Sequence, residues 1–130
     1  MAPTYTMIPK KSKLTPMPKL IKKADLVFSK WIRNRDKQCV LHSEKCSSVL
    51  QCGHLIRRGK RAVRFSESNC NCQCSYHNFL HNSEPHHYTN WFIQEYGQLP
   101  YEDLCDKANT IKKFSRSELE EIIAKYSLDN

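Results

Sequence analysis

Apolar residues recur at helical spacing from Leu20 to about Asp36. Leu20, Ala24, Val27 and Trp31 form one stripe with Ile21, Phe28 and Ile32 beside it, while Lys23, Lys30, Arg33 and Lys37 lie largely on the other side. The spacing predicts a helix that buries one face and turns a basic face outward. The pattern then breaks into an irregular loop over residues 38–49. VLQCGHLI (residues 49–56) reads as a short strand. RAVRF (residues 61–65), alternating basic and apolar, reads as its partner in a loose hairpin turned at Gly59. SESNCNCQC reads as a polar loop, and a short helix is expected from about Ser75 to Asn82.

Helical periodicity returns in SEPHHYTNWFIQEYG. Ser83 is the expected cap, Pro85 sits in the first turn and Gly97 lies past the end. Tyr88, Trp91, Phe92 and Tyr96 make an aromatic stripe that fits a core face better than a base-stacking platform. A further helix is expected after Pro100, and a last one at SELE, where Ser117 and Glu120 match a capping box. Two short strands among helices predict an α+β fold. The chain divides into an arm (residues 1–19), a core (20–97) and a C-terminal helical extension (98–130).

Composition narrows the function classes. With 130 residues the chain has room for one small domain, and its 39% hydrophobic content gives a modest core that a metal clip would help to hold. No apolar run approaches the eighteen or so residues of a membrane span, so no membrane partner is expected. The expected location is the cytoplasm, where seven cysteines point to metal binding rather than disulfides. Net charge is +8 and uneven. Residues 1–23 carry six lysines and no acid, residues 24–66 ten Lys/Arg against three acids, and residues 67–130 five against ten. The front of the chain therefore attracts a polyanion, with nucleic acid the expected partner. The proline-rich segment 1–19 reads as a flexible basic arm.

Two ligand pairs stand out. Cys39-x-x-His42 and Cys74-x-x-His77 each let one turn present two donors, and two sulfurs with two nitrogens suit tetrahedral zinc in a closed structural site. Cys46 could replace His42, and Cys70 or Cys72 could replace Cys74. In an extended CNCQC run the three thiols cannot all face one ion. Cys52 and Cys105, in apolar settings, read as buried small residues.

A second constellation joins Gly53-His54, Asn69 and Asn78. A strand pair crossed by a helix would bring His54, Asn69 and Asn78 together with the zinc clip behind them. At these residues the chain resembles the HNH endonucleases of ββα-metal fold, with asparagine in the third position. KWIRNRDKQCVLH, CGHLIRR, RFSESNCNCQCSYHN and FIQEYG resemble more narrowly the phage recombination nucleases called NinG or Rap, over about Lys30 to Gly97. That family usually has cysteine where this chain has His42 and His77. The resemblance implies a zinc-stabilised ββα-metal core, branched DNA such as a Holliday junction as substrate, and a bacterial host for a chain of phage origin. Symmetric cutting of a junction needs two active sites, hence a homodimer for which the C-terminal helices are candidates.

The residue types fit phosphodiester hydrolysis. A neutral histidine can take a proton from water near pH 7, and His54 is assigned that role. A magnesium or manganese ion would stabilise the developing charge, with Asn78 as the first candidate ligand and Asn82 one turn on as the second. Asn69 is expected to fix the loop and orient His54. Arg57, Arg58 and Arg64 are placed to grip phosphates, with Lys30 and Arg33 on the basic helix face. Relatives often carry an acid or histidine as a metal ligand where this chain has Gly53. Glu67 or His81 could contribute instead, although His81, His86 and His87 read best as exposed helical histidines. Two rival readings are a site-specific nicking enzyme of the same fold and a zinc module that binds DNA without cutting it. A redox sensor is a third.

Overall fold

The computed structural model describes residues 14–127. The predicted arm lies mostly outside that range, and its last residues belong to the first helix, α1 (Met17–Asp36). Pro16 caps α1 and Pro18 lies in its first turn, where a missing amide proton costs nothing. Lys37 closes it in a left-handed conformation (φ 67°), its amide bonded to the Arg33 carbonyl at 2.8 Å. The helix is as expected, but its fully buried stripe is Leu20, Ala24, Phe28 and Ile32, while Val27 and Trp31, expected in that stripe, are half-buried at its edge.

The strands depart from expectation. β1 is Leu50–His54, as expected, but its antiparallel partner is β2, Cys70–Cys74, with Leu50 opposite Cys74 and His54 opposite Cys70. RAVRF is instead a 3-10 turn at Arg61–Val63, and Glu67–Asn69 form another. Val63 is fully buried beside Leu55, Tyr88 and Phe92, so this segment folds inward rather than pairing with β1. The period-two signal lies in CNCQC once cysteine is read as an apolar residue: Cys70, Cys72 and Cys74 share one face, Asn71 and Gln73 the other. The outer edge of β2 is closed by α1 and the loop after it. Asp36 accepts from the Cys72 amide at 2.8 Å, Val40 donates to the Cys72 carbonyl at 2.9 Å, and Arg35 donates to the Cys70 carbonyl at 2.8 Å. The middle of that edge is thus paired within the chain rather than left open to another strand.

β2 runs directly into α2 (Ser75–Leu80), then α3 (His86–Tyr96), α4 (Gln98–Ala108) and α5 (Arg116–Ser127). Ser83 does not cap α3; its hydroxyl donates back to the Leu80 carbonyl, and Pro85 precedes the first turn. The capping box of α5 is one motif earlier than SELE. Ser115 Oγ accepts from the Glu118 amide at 3.1 Å, and the Glu118 carboxylate accepts from the Ser115 amide at 3.0 Å. Tyr88 and Phe92 are buried with Leu104 and Ala108, while Tyr96 is largely exposed. The apolar face of α5 is covered by α1: Leu119 packs with Leu20 and Ala24, and Tyr126 with Phe28 and Trp31. Residues 98–127 thus close the core of residues 17–97 with one face of each helix, while Leu99 and Ile111 are exposed. No helix among the described residues is long and apolar enough to cross a membrane.

Candidate metal knot and nuclease cleft

Two sites lie on opposite ends of the β1–β2 ribbon. At the α2 end, Cys39, Cys46, Cys74 and His77 converge. The thiols of Cys74, Cys46 and Cys39 stand 3.0, 3.5 and 3.6 Å from His77 Nδ1. The separations from Cys46 and Cys39 match the edge of about 3.6 Å that zinc bonds of about 2.3 Å to sulfur and 2.0–2.1 Å to nitrogen impose on a tetrahedron, while Cys74 at 3.0 Å stands at hydrogen-bond distance and would move outward slightly to join them. The cluster can therefore hold a metal such as zinc with four protein donors and no open position. Ser43 Oγ, 3.3 Å from His77 Nε2, fixes the ring from behind.

Three of the four expected ligands meet here, and Cys46 stands where His42 was expected. The correction has a local cause. A turn bonds the Cys46 amide to the Ser43 carbonyl at 3.1 Å and the Ser43 amide to the Cys46 thiol at 3.4 Å, curling Cys46 back over Cys39 while His42 is exposed. Cys74 caps α2, its sulfur accepting from the His77 amide at 3.4 Å. Burial opposes ionisation of this thiol, but hydrogen bonds from the His77 amide and ring outweigh it and bring the pKa down to about 6. Burial pushes Cys39 up to about 12.

At the other end, a cleft of about 860 Å³ opens between α1, the end of β1 and α2. His54, Asn78, Asn82, Arg57 and Arg58 all line it, so five of the expected residues share one solvent-accessible space. His54 takes no part in the metal knot. Its Nε2 lies 2.9 Å from the Arg64 carbonyl. A carbonyl only accepts, so Nε2 carries the proton and Nδ1 holds the free lone pair. Burial holds the ring below its ordinary pKa, and Arg58 and Arg64 push the same way against that hydrogen bond and the Asp25 carboxylate. The imidazole is thus neutral near pH 7, with a defined tautomer.

Asn69 lies behind the cleft, fully buried. Its Oδ1 accepts from the Ile56 amide at 2.8 Å, and its Nδ2 donates to the Ile56 and Val63 carbonyls at 2.9 and 3.1 Å. It staples the two ends of the Arg57–Ala62 loop, which carries Arg57 and Arg58. Asn78 Nδ2 donates to Gln51 Oε1 at 2.8 Å, which fixes its carboxamide.

Other expected residues are placed elsewhere. Arg64 is bound by Asp25, Nε to Oδ1 at 2.9 Å and Nη2 to Oδ2, with both side chains mostly buried, so its charge is already neutralised. Lys30 and Arg33 lie on α1 outside the cleft lining, and Arg33 bonds the Ser29 carbonyl at 3.3 Å. Glu67 is remote, held by Tyr126 and Lys125. His81 is not an exposed histidine: Nε2 meets the Leu55 carbonyl at 2.8 Å, and its ring packs edge-on against Tyr88. Gly53 is fixed by packing, because a Cβ there would collide with Gln73 Oε1, and its carbonyl accepts from the Tyr88 hydroxyl at 2.7 Å. The sequence reading missed Asp25, the one carboxylate that lines the cleft among the described residues, and Lys60, a further cation there. An acid in the middle of a helix whose other interior charges are all basic was the available signal for Asp25.

Comparison with curated proteins and with solved structures gave no match. A family model, described as bacteriophage lambda NinG protein, matches residues 6–129, nearly the whole chain and both sites. The chain belongs to the phage lambda NinG family.

Proposed function

We propose that this protein is a metal-dependent endonuclease of HNH type that hydrolyses phosphodiester bonds in branched recombination DNA. The observation that carries this reading is the state of His54: a neutral imidazole with one nitrogen pinned to the Arg64 carbonyl, in the same cleft as two carboxamides and two exposed arginines. The β1–β2–α2 succession, with a closed metal knot at its base, supports a ββα-metal core. NinG family membership supports a role in phage recombination.

In this reading a water molecule in the cleft loses a proton to His54 Nδ1 as its oxygen attacks phosphorus. The bond from phosphorus to the 3′-oxygen breaks, leaving 5′-phosphate and 3′-hydroxyl ends once solvent protonates the leaving oxygen. Arg57, Arg58 and Lys60 hold the flanking phosphates, and Asn69 holds the loop that presents all three. Asn78 and Asn82 offer neutral oxygen donors in an open, hydrated space, which fits magnesium or manganese with most of its water shell kept. Such an ion, when bound, would stabilise charge on the phosphoryl and leaving oxygens.

The test is a cutting assay on duplex and four-way DNA with magnesium, comparing the wild type with His54→Ala. The reading expects cutting of the branched substrate, lowered by about 10²–10⁴-fold in the variant with binding kept. Cutting that survives the substitution removes the mechanism. Binding without cutting by both proteins makes the chain a DNA-binding zinc module.

A further inference from the structure

We propose that Cys52, His54 and Cys70 form a second metal site, selective for a thiophilic divalent ion such as zinc, whose filling switches the cleft off. The inhibitory part rests on the reading of His54 as the base; the site itself does not.

Strand pairing builds the site. His54 faces Cys70 directly across the ribbon, and Cys52 precedes His54 by two residues on the same face. One donor atom from each lies within 4.8 Å of the other two. In a tetrahedral zinc site the donors stand about 3.6–3.8 Å apart, so small rotations of three side chains close the distance. The thiol of Cys70 already bonds with Cys52 and lies 3.8 Å from the Arg64 carbonyl that holds His54. Cys70 is fully buried and forms the back of the site, while Cys52 and His54 line the cleft from which an ion would enter. Three protein donors leave the fourth position for water on the open side, unlike the closed knot of Cys39, Cys46, Cys74 and His77.

Donor chemistry separates the two ions that meet in this cleft. The oxygens of Asn78 and Asn82 suit a hard, hydrated cation, whereas two sulfurs and an imidazole suit zinc and disfavour magnesium. Two thiolates neutralise the ion, which limits the cost of seating it against the Phe28–Ile32 core. Whichever ring nitrogen binds, the base is lost: at Nδ1 the lone pair is consumed, and at Nε2 the bond to Arg64 that sets the tautomer is broken. Hard cations would then license cutting, and zinc would stop it.

The full chain, carrying one zinc per molecule and kept under a non-thiol reductant, is titrated with cobalt(II). The site predicts one further equivalent with thiolate-to-cobalt charge-transfer absorption, absent from Cys52→Ser and from Cys70→Ala while the first zinc stays bound. If Cys70→Ala does not fold, Cys52→Ser decides alone. In magnesium-dependent cutting, zinc chloride in excess is expected to slow the wild type by about 10²-fold and to leave Cys52→Ser largely unaffected relative to its own zinc-free rate. No second equivalent, or one that persists in Cys52→Ser, overturns the site. Cutting by the wild type that ignores bound zinc overturns the switch. A second equivalent in a protein that cuts no DNA sinks the endonuclease reading and leaves the metal site standing.

Discussion

His54 and Arg64 are joined by a hydrogen bond of 2.9 Å from an imidazole nitrogen to a main-chain carbonyl, ten residues apart in sequence and on opposite sides of the Arg57–Ala62 loop. That bond fixes both the direction and the tautomer of the ring. Because burial depresses the pKa of His54 below its ordinary 6.5, the folded protein binds fewer protons there than the unfolded chain as the medium turns acid. Stability from this source is complete above pH 6.5 and declines as pH falls through the folded-state pKa. Denaturant melts between pH 7.5 and pH 5 are expected to show a loss that His54→Gln reduces. The cutting rate is expected to fall on its acid limb below pH 6.5, tracking protonation of the same ring.

Asn69 predicts a stability effect without direct contact with DNA. Asn69→Ala removes the partners of the Ile56 amide and carbonyl in a fully buried place and leaves the Val63 carbonyl with the Ser66 amide alone, at a cost of about 2–3 kcal/mol. Asn69→Asp turns a carboxylate oxygen toward the Ile56 and Val63 carbonyls, so at neutral pH it is expected to be at least as destabilising as alanine and to recover as acid protonates the carboxyl. Urea unfolding of the three proteins gives the order.

The metal knot separates two neighbouring candidates. Cys46→Ser is expected to lower bound zinc well below one equivalent and to shift the melt down, while His42→Ala keeps both. Elemental analysis after dialysis reads this directly. Since the thiols must lose protons to bind, metal retention should weaken as the medium is acidified, Cys74 being the last to give up its charge.

The arginines should divide in the same way. Arg57→Gln removes a cation that lines the cleft, so DNA binding weakens and the slope of log K against log salt falls by about 0.9. Arg64→Gln breaks the mostly buried pair with Asp25 and is expected to show mainly as lost stability, below the roughly 3–5 kcal/mol of a fully broken buried pair because Arg58 still stands 3.7 Å from the Asp25 carboxylate. Fluorescence anisotropy at several salt concentrations, together with melts, tells binding from folding.

Helix capping gives a local check. Ser115→Ala should cost about 1 kcal/mol and Ser117→Ala nearly nothing, because Ser115 closes the box with Glu118. A larger effect at Ser117, measured by thermal unfolding, would falsify the observed helix start.

The long-period features of the fold were legible in the residues. The stripe of α1 and the aromatic face of α3 have helical spacing, and propensity and packing agree there. The convergence of His54, Asn78 and Asn82 on one cleft could be expected because one strand end and one short helix carry them. The partner of β1 was hidden for a chemical reason. Arg61–Phe65 alternates basic with apolar residues, yet Val63 is drawn into the core and Asn69 rewards a looped path. Cys70, Cys72 and Cys74 alternate just as regularly, but cysteine reads as a ligand before it reads as a core residue. Cys46 was open as an alternative to His42, and what decides between them is a turn at Ser43 that spacing does not encode. The Arg64–Asp25 pair joins residues 39 positions apart, beyond the reach of any local pattern.

The clasp between α5 and α1 also has a temporal side. A ribosome delivers α1 long before α5, so for most of translation the helix that carries Asp25, Phe28 and Ser29 has no covering for Leu20, Ala24 and Phe28. A nascent or truncated polypeptide ending before Arg116 leaves those side chains bare and one wall of the cleft unsupported. Assembly of the groove is thereby deferred until the distal helix has been made.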